Sequence, residues 1–108
     1  MKYREMAGER ISVLGFGCMR FPTTSKNAED IDAEKSAKML EYAIENGVNY
    51  FDTAYVYHGG KSESFIGGVL KPYRDKIHIA TKCPTWEVKC EEGFDRLLNE
   101  QLERLQTD

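Results

Sequence analysis

Three residue types able to move a proton lie close together in the expected fold: Asp52, Tyr57 and Lys82. Asp52 ends the run Asn49-Tyr50-Phe51-Asp52, and Tyr57 sits in the loop after it. Lys82 closes the run Ile77-His78-Ile79-Ala80-Thr81. A phenol ordinarily loses its proton at a pH of ~10, too high for easy exchange near neutrality. A lysine ammonium close by favours the phenolate, and a carboxylate beside the lysine keeps it charged and positioned. Such a trio is a general acid for a carbonyl oxygen while hydride arrives at the carbon. The cation also stabilises negative charge developing on that oxygen. Taken singly, each residue has a plainer reading: an Asp capping a turn, a Tyr packing with a wet hydroxyl, a Lys in solvent. Their joint placement is what favours chemistry.

That placement depends on the elements around them. Lys2 to Met6 and Arg10 to Val13 read as a hairpin turned by Ala7-Gly8-Glu9. Leu14-Gly15-Phe16-Gly17-Cys18-Met19 suits a buried strand whose glycines let a ligand approach the backbone. Thr23 to Asp30 is a polar loop, and Asp30 or Asp32 caps a helix carrying Ala33, Ala37, Leu40, Ala43 and Ile44, stopped by Gly47. Val48 to Asp52 is a second strand. Ser62 is the expected N-cap of a helix with Phe65, Ile66, Val69 and Leu70, which Pro72 limits. Lys76 to Thr81 is a third strand ended by Pro84. The last helix is expected to bury Phe94, Leu97, Leu98, Leu102 and Leu105 on one face.

Strands alternating with helices predict an α/β fold with a parallel sheet and right-handed crossovers. The expected units are a hairpin over 2–13 and βα units over about 14–46, 48–71 and 76–105, all in one domain spanning 1–108. In such folds the C-terminal ends of neighbouring strands meet at one rim, where active sites sit. Asp52, Tyr57 and Lys82 are therefore expected to converge there. Three parallel strands alone leave two open edges and an uncovered face, so the chain reads as well under half of a (β/α)8 barrel.

Other reactive residues point elsewhere. His58 is expected to be an exposed loop residue and His78 a packed one within a strand. No CxxC pair exists and the two histidines are far apart in sequence, so no metal site is expected. Gly59-Gly60 lacks the strand–GxGxxG–helix setting of a phosphate loop. Cys83 is expected to pack, and Cys90 to lie at the start of the last helix. An odd cysteine count, Cys18, Cys83 and Cys90, argues against a secreted disulfide framework and for reduced thiols in a cytoplasmic protein. A net charge of −3 offers no basic stripe for nucleic acid. No apolar run approaches the ~20 residues of a membrane span, and the N-terminus carries no signal-peptide core.

Leu14-Gly15-Phe16-Gly17-Cys18-Met19-Arg20, Asn49-Tyr50-Phe51-Asp52-Thr53-Ala54-x-x-Tyr57, Ser62-Glu63 and Ile79-Ala80-Thr81-Lys82 together resemble the N-terminal signatures of the aldo-keto reductases. The resemblance implies a (β/α)8 barrel plugged by an N-terminal hairpin. It implies reduction of aldehydes or ketones by hydride from NADPH, less often NADH. Tyr57 would be the proton donor, Lys82 its cationic partner and Asp52 the carboxylate paired with Lys82. Gly17, Cys18 and Met19 would meet the nicotinamide end of the cofactor. The family's fourth catalytic group, a histidine ending the fourth strand, is not among these residues. The opening Met-Lys-Tyr-Arg and the Gly-Phe-Gly-Cys-Met-Arg run resemble bacterial members, some with a C-terminal iron–sulfur segment. The rival reading is a non-catalytic piece of such an enzyme, inactive alone and self-associating through its open edges.

Overall fold

The computed structural model describes residues 1–108. Strand β1 (Tyr3–Met6) pairs antiparallel with β2 (Glu9–Ser12), Tyr3 opposite Ser12 and Met6 opposite Glu9. The turn between them is two residues, Ala7 and Gly8, both with positive φ (51° and 84°). Mirror-image turns of this kind match the right-handed twist of paired strands. The hairpin is tied to the body by Asn49. Its side-chain oxygen accepts from the Ser12 backbone N–H at 2.8 Å, and its amide donates to the Arg10 carbonyl at 2.8 Å. Tyr3 adds a hydrogen bond to the Gly47 carbonyl at 3.0 Å.

The main sheet is parallel, in the order β3 (Phe16–Gly17), β4 (Tyr50–Asp52), β5 (His78–Ala80). Register puts Gly17 opposite Asp52 and Asp52 opposite Ala80, so the three strand ends are level. The strands are shorter than the sequence patterns: β4 loses Val48 and Asn49 at its start, and β3 and β5 are trimmed at both ends. Leu14 and Met19, expected inside a buried strand, are exposed.

Helix α1 (Ala33–Glu45) begins at Asp32, whose carboxylate accepts from the Lys35 backbone N–H at 3.1 Å. That bond, ahead of a small opposing effect of burial, holds the carboxyl below its ordinary range. The helix buries Ser36, Leu40 and Ala43 and leaves Ala33 exposed. Helix α2 (Ser62–Leu70) starts without a side-chain cap. Ser62, expected there, is instead inside the molecule: its hydroxyl donates to the Cys18 carbonyl at 3.0 Å and pairs with the Thr53 hydroxyl at 2.9 Å. A tighter 3-10 turn, Lys71–Lys76, carries Pro72 in its first positions, where a missing N–H costs nothing.

The core joins sheet and helices through Phe51, Leu40, Ile66, Leu70, Val48, Ile77 and Leu105. Helix α3 (Glu91–Leu105) buries Gly93, Leu97, Gln101 and Leu105. Phe94 and Leu98, assigned to the same face from sequence, remain exposed. Of the apolar stripe, the part packed against α2 is the part that is buried. Close approach of α2 and α3 requires Gly67: a Cβ there would lie 2.5 Å from the Arg104 carbonyl oxygen and 2.7 Å from the Leu105 Cα. Backbone cannot yield as a side chain does. Gly67→Ala is therefore expected to cost roughly 1–3 kcal/mol of stability in the full chain, read from denaturant unfolding. An unchanged midpoint would rule out this packing.

Candidate active site

The level strand ends bring Asp52, Tyr57 and Lys82 together. The Lys82 ammonium lies 2.7 Å from Asp52 Oδ1, 2.8 Å from the Thr53 carbonyl oxygen and 3.4 Å from the Tyr57 hydroxyl oxygen. An ammonium has three N–H donors, and each has an acceptor here. The Tyr57 oxygen receives one of them, which leaves the phenol's own hydrogen free to be donated outward. The ammonium also stands 5.0 Å from the Tyr57 ring centroid. Burial acts to lower the Lys82 pKa, but the hydrogen bonds to Asp52 and Tyr57 outweigh it and hold it above the ordinary lysine range. Lys82 is thus a fixed cation. The pair is exposed to solvent at the rim, where ion pairs contribute little to stability; its value lies in geometry.

Tyr55, two residues earlier, has a different setting. Its hydroxyl donates to Glu100 Oε1 at 3.1 Å, and Arg104 stacks 4.2 Å from its ring centroid. Partial burial and then the Glu100 hydrogen bond push its phenol upward. Its proton is committed to Glu100. Of the loop's two tyrosines, only Tyr57 stands beside the lysine.

The three residues expected to meet a cofactor occupy two environments. Gly17 and Met19 are exposed, and a Cβ on Gly17 would meet no atom within 4 Å. Cys18 is fully buried in the core. Its backbone N–H donates to the Asp52 carbonyl at 2.8 Å and its carbonyl accepts from Ser62 at 3.0 Å. Burial, reinforced by the Asp52 charge and opposed by Lys82, pushes the Cys18 thiol up to about 12. Its part at this rim is to anchor the loop between two exposed neighbours, not to present its sulfur.

His58, expected in solvent, is buried. Its Nε2 accepts from the Phe21 backbone N–H at 3.0 Å, so the hydrogen is on Nδ1, which donates to the Ala28 carbonyl at 2.7 Å. The ring lies 5.6 Å from Phe21. With φ of 54° it adopts the left-handed conformation, as do Gly59 (59°) and Gly60 (87°) beside it. The loop thereby turns Tyr57 to the rim and His58 into the protein.

Sequence reasoning also missed a polar cluster beneath the rim. Glu63 is fully buried, and its Oε1 accepts from the Thr81 hydroxyl at 2.6 Å and the Gln101 amide at 2.7 Å. Arg104 lies 3.4 Å from its other oxygen. The signal was helical spacing: Glu63 falls on the same face as Ile66 and Leu70, both fully buried.

The parallel rim thus brings an acid, a tyrosine and a lysine into hydrogen-bonding contact. Comparison with known proteins adds the family. The profile of the aldo/keto reductase family matches residues 13–108, and the chain belongs to that family. It is 33% identical over 88 residues to the versiconal hemiacetal acetate reductase of Aspergillus parasiticus, covering 77% of this chain and 26% of that protein. The holo form of an aldo-keto reductase from Bacillus halodurans superposes with a TM-score of 0.78 at 33% identity, covering 100% of this chain and 37% of its own. An aldo-keto reductase from Klebsiella pneumoniae, crystallised with NADP and acetate, superposes at 0.74 and shares the fold at 24% identity, covering 92% and 33%. The chain spans 21–26% of its curated relatives and 33–42% of the solved barrels. The fold is accordingly an incomplete barrel.

The contrast between Cys18 and the exposed Cys90 has a direct readout. Under mildly alkaline conditions, iodoacetamide should modify Cys90 in the folded protein and spare Cys18 until denaturant is added. Peptide mass mapping reads both. Early labelling of Cys18 would contradict its burial.

Proposed function

We propose that the whole protein is an oxidoreductase that reduces aldehydes or ketones to alcohols with NAD(P)H, and that Tyr57 gives the proton to the carbonyl oxygen. The observation that carries this is the Lys82 ammonium, whose three donors meet Asp52, the Thr53 carbonyl and the Tyr57 oxygen. In this reading Asp52 holds Lys82, Lys82 stabilises negative charge on Tyr57 as the proton leaves, and the phenol hydrogen faces the substrate. The bound nicotinamide supplies hydride to the carbonyl carbon. Gly17 and Met19 would border the nicotinamide, since both are exposed and a Cβ on Gly17 would meet no atom within 4 Å. Cys18 serves that site through its backbone. NADP is the favoured cofactor, supported by the Klebsiella pneumoniae relative crystallised with it; NADH is the other form the reading allows. A reducing cytoplasmic setting is part of the proposal, supported by three unpaired thiols. No helix is long and apolar enough to cross a membrane.

Tyr57→Phe keeps the ring and removes the hydroxyl, and with it the transferable proton and one acceptor for Lys82. In the full-length enzyme it should lower kcat for carbonyl reduction by roughly a hundred- to ten-thousandfold, with NADPH binding retained. A variant reducing carbonyls at full rate would end the assignment of Tyr57.

A second reading concerns residues 1–108 as an isolated piece. The exposed Phe94 and Leu98 on α3, and the unpaired outer edges of β3 and β5, favour self-association. Expressed alone, this segment should sediment above monomer mass and oxidise no NADPH with a carbonyl substrate. A clean monomer at high concentration would exclude the association.

A further inference from the structure

The reading of Lys82 as the cation beside the proton donor leaves open what holds Lys82 itself. Its side chain is half exposed, so where the ammonium is delivered depends on where its Cα is fixed. Asp52 fixes one end, the ammonium. The other end is fixed from below. The Gln101 amide donates to the Lys82 carbonyl at 2.9 Å and to Glu63 Oε1 at 2.7 Å. The Thr81 hydroxyl, on the residue before Lys82, donates to the same Glu63 oxygen at 2.6 Å. Glu63 is in turn steadied by Arg104 at 3.4 Å, and Arg104 pairs with Glu100 and reaches the Tyr55 carbonyl at 3.4 Å.

The arrangement has a consistent hydrogen count. Glu63 as a carboxylate only accepts, and Thr81, Gln101 and Arg104 all donate to it. Gln101 has two amide hydrogens, directed in its shorter contacts to Glu63 and the Lys82 carbonyl, with the Thr81 hydroxyl oxygen a longer contact of the same nitrogen at 3.2 Å. Neither Glu63 nor Gln101 touches Asp52, Tyr57 or the rim where substrate would sit. A carboxylate at zero exposure is costly to bury unless paired and hydrogen-bonded. Apolar packing alone would not require it. Its partners converge on Thr81 and Lys82, the two residues that follow β5.

We propose that Glu63 and Gln101 are positioning residues for Lys82: the buried carboxylate orients the Gln101 amide and the Thr81 hydroxyl, and these fix the backbone from which Lys82 reaches Asp52 and Tyr57. The inference rests on the catalytic reading of Lys82 given above. Without Glu63 the Gln101 amide loses its orientation, the Lys82 carbonyl loses its donor, and the ammonium is no longer delivered to one place. A displacement of this kind affects the chemical step while the surfaces that bind substrate and cofactor stay as they were.

The test uses the full-length enzyme with NADPH and a simple aldehyde. Glu63→Gln should lower kcat by about ten- to a hundredfold, with KM for the aldehyde and the Kd for NADPH changed by less than about twofold. Gln101→Met, close in size and lacking both donors, should give the same pattern to a smaller extent. Should E63Q fail to fold, Q101M decides alone. Full kcat in the folded variants overturns the inference. So does a parallel fall in kcat, aldehyde affinity and NADPH affinity, which marks a purely structural role. Lys82→Met and Tyr57→Phe, measured alongside, separate the two levels. If those variants keep full rate, the catalytic reading fails and takes this one with it. If they lose rate while E63Q and Q101M keep it, only the positioning role fails.

Discussion

The ammonium of Lys82 is where the constraints of this fold meet. It needs three acceptors, and those acceptors come from a strand end, a backbone carbonyl and a loop tyrosine. They can be supplied at once only if β4 and β5 are parallel and in the observed register, with Asp52 opposite Ala80. A slip of one residue would turn Asp52 to the other face of the sheet. The core residue Phe51, between Tyr50 and Asp52, fixes that choice: with its ring fully buried, its neighbours must face the other way. Hydrophobic packing thus sets the direction of the carboxylate.

The loop after β4 solves a second problem. It must bring one tyrosine to the lysine and keep the rest of its polar atoms satisfied. His58 does this by turning inward and bonding two backbone groups of the β3–α1 loop, Phe21 N–H and Ala28 C=O. The left-handed turn through His58, Gly59 and Gly60 makes the inversion sterically open for the glycines and costly for the histidine. The two hydrogen bonds and the tilted ring contact with Phe21 offset that cost. Ser62, at the start of α2, pairs with the Thr53 hydroxyl and donates to the Cys18 carbonyl, linking the ends of β3 and β4.

Much of this was legible in the sequence, and the divide is physical. Hairpin, three strands, three helices and their order follow from periodicity and turn residues, since those depend on local chain geometry. The convergence of Asp52, Tyr57 and Lys82 followed from topology alone, because level strand ends are a property of parallel sheets. What failed were judgements of burial for polar and mixed residues. His58 read as loop surface, Ser62 as a cap and Glu63 as a member of a motif without a task; each is buried because a partner distant in sequence satisfies it. Phe94 and Leu98 failed in the opposite sense. Their apolar stripe is real, but the line of α3 that packs inward runs through Gly93, Leu97, Gln101 and Leu105 instead.

Helix α3 shows how packing and site placement are combined. Its buried line runs Gly93, Leu97, Gln101, Leu105, and a leucine at 101 would continue it without a break. That change would remove donors from Glu63 and from the Lys82 carbonyl. Leaving buried acceptors unpaired costs about 1–3 kcal/mol each, more where the acceptor is charged, against roughly 1.5–3 kcal/mol gained by burying an apolar side chain. With a carboxylate already buried at position 63, the amide is the side chain that fits the gap and satisfies both acceptors. With Glu63 in place, then, the residue at 101 is determined more by the acceptors it must meet than by the hydrophobic pattern of its helix, and those acceptors lie directly beneath the lysine.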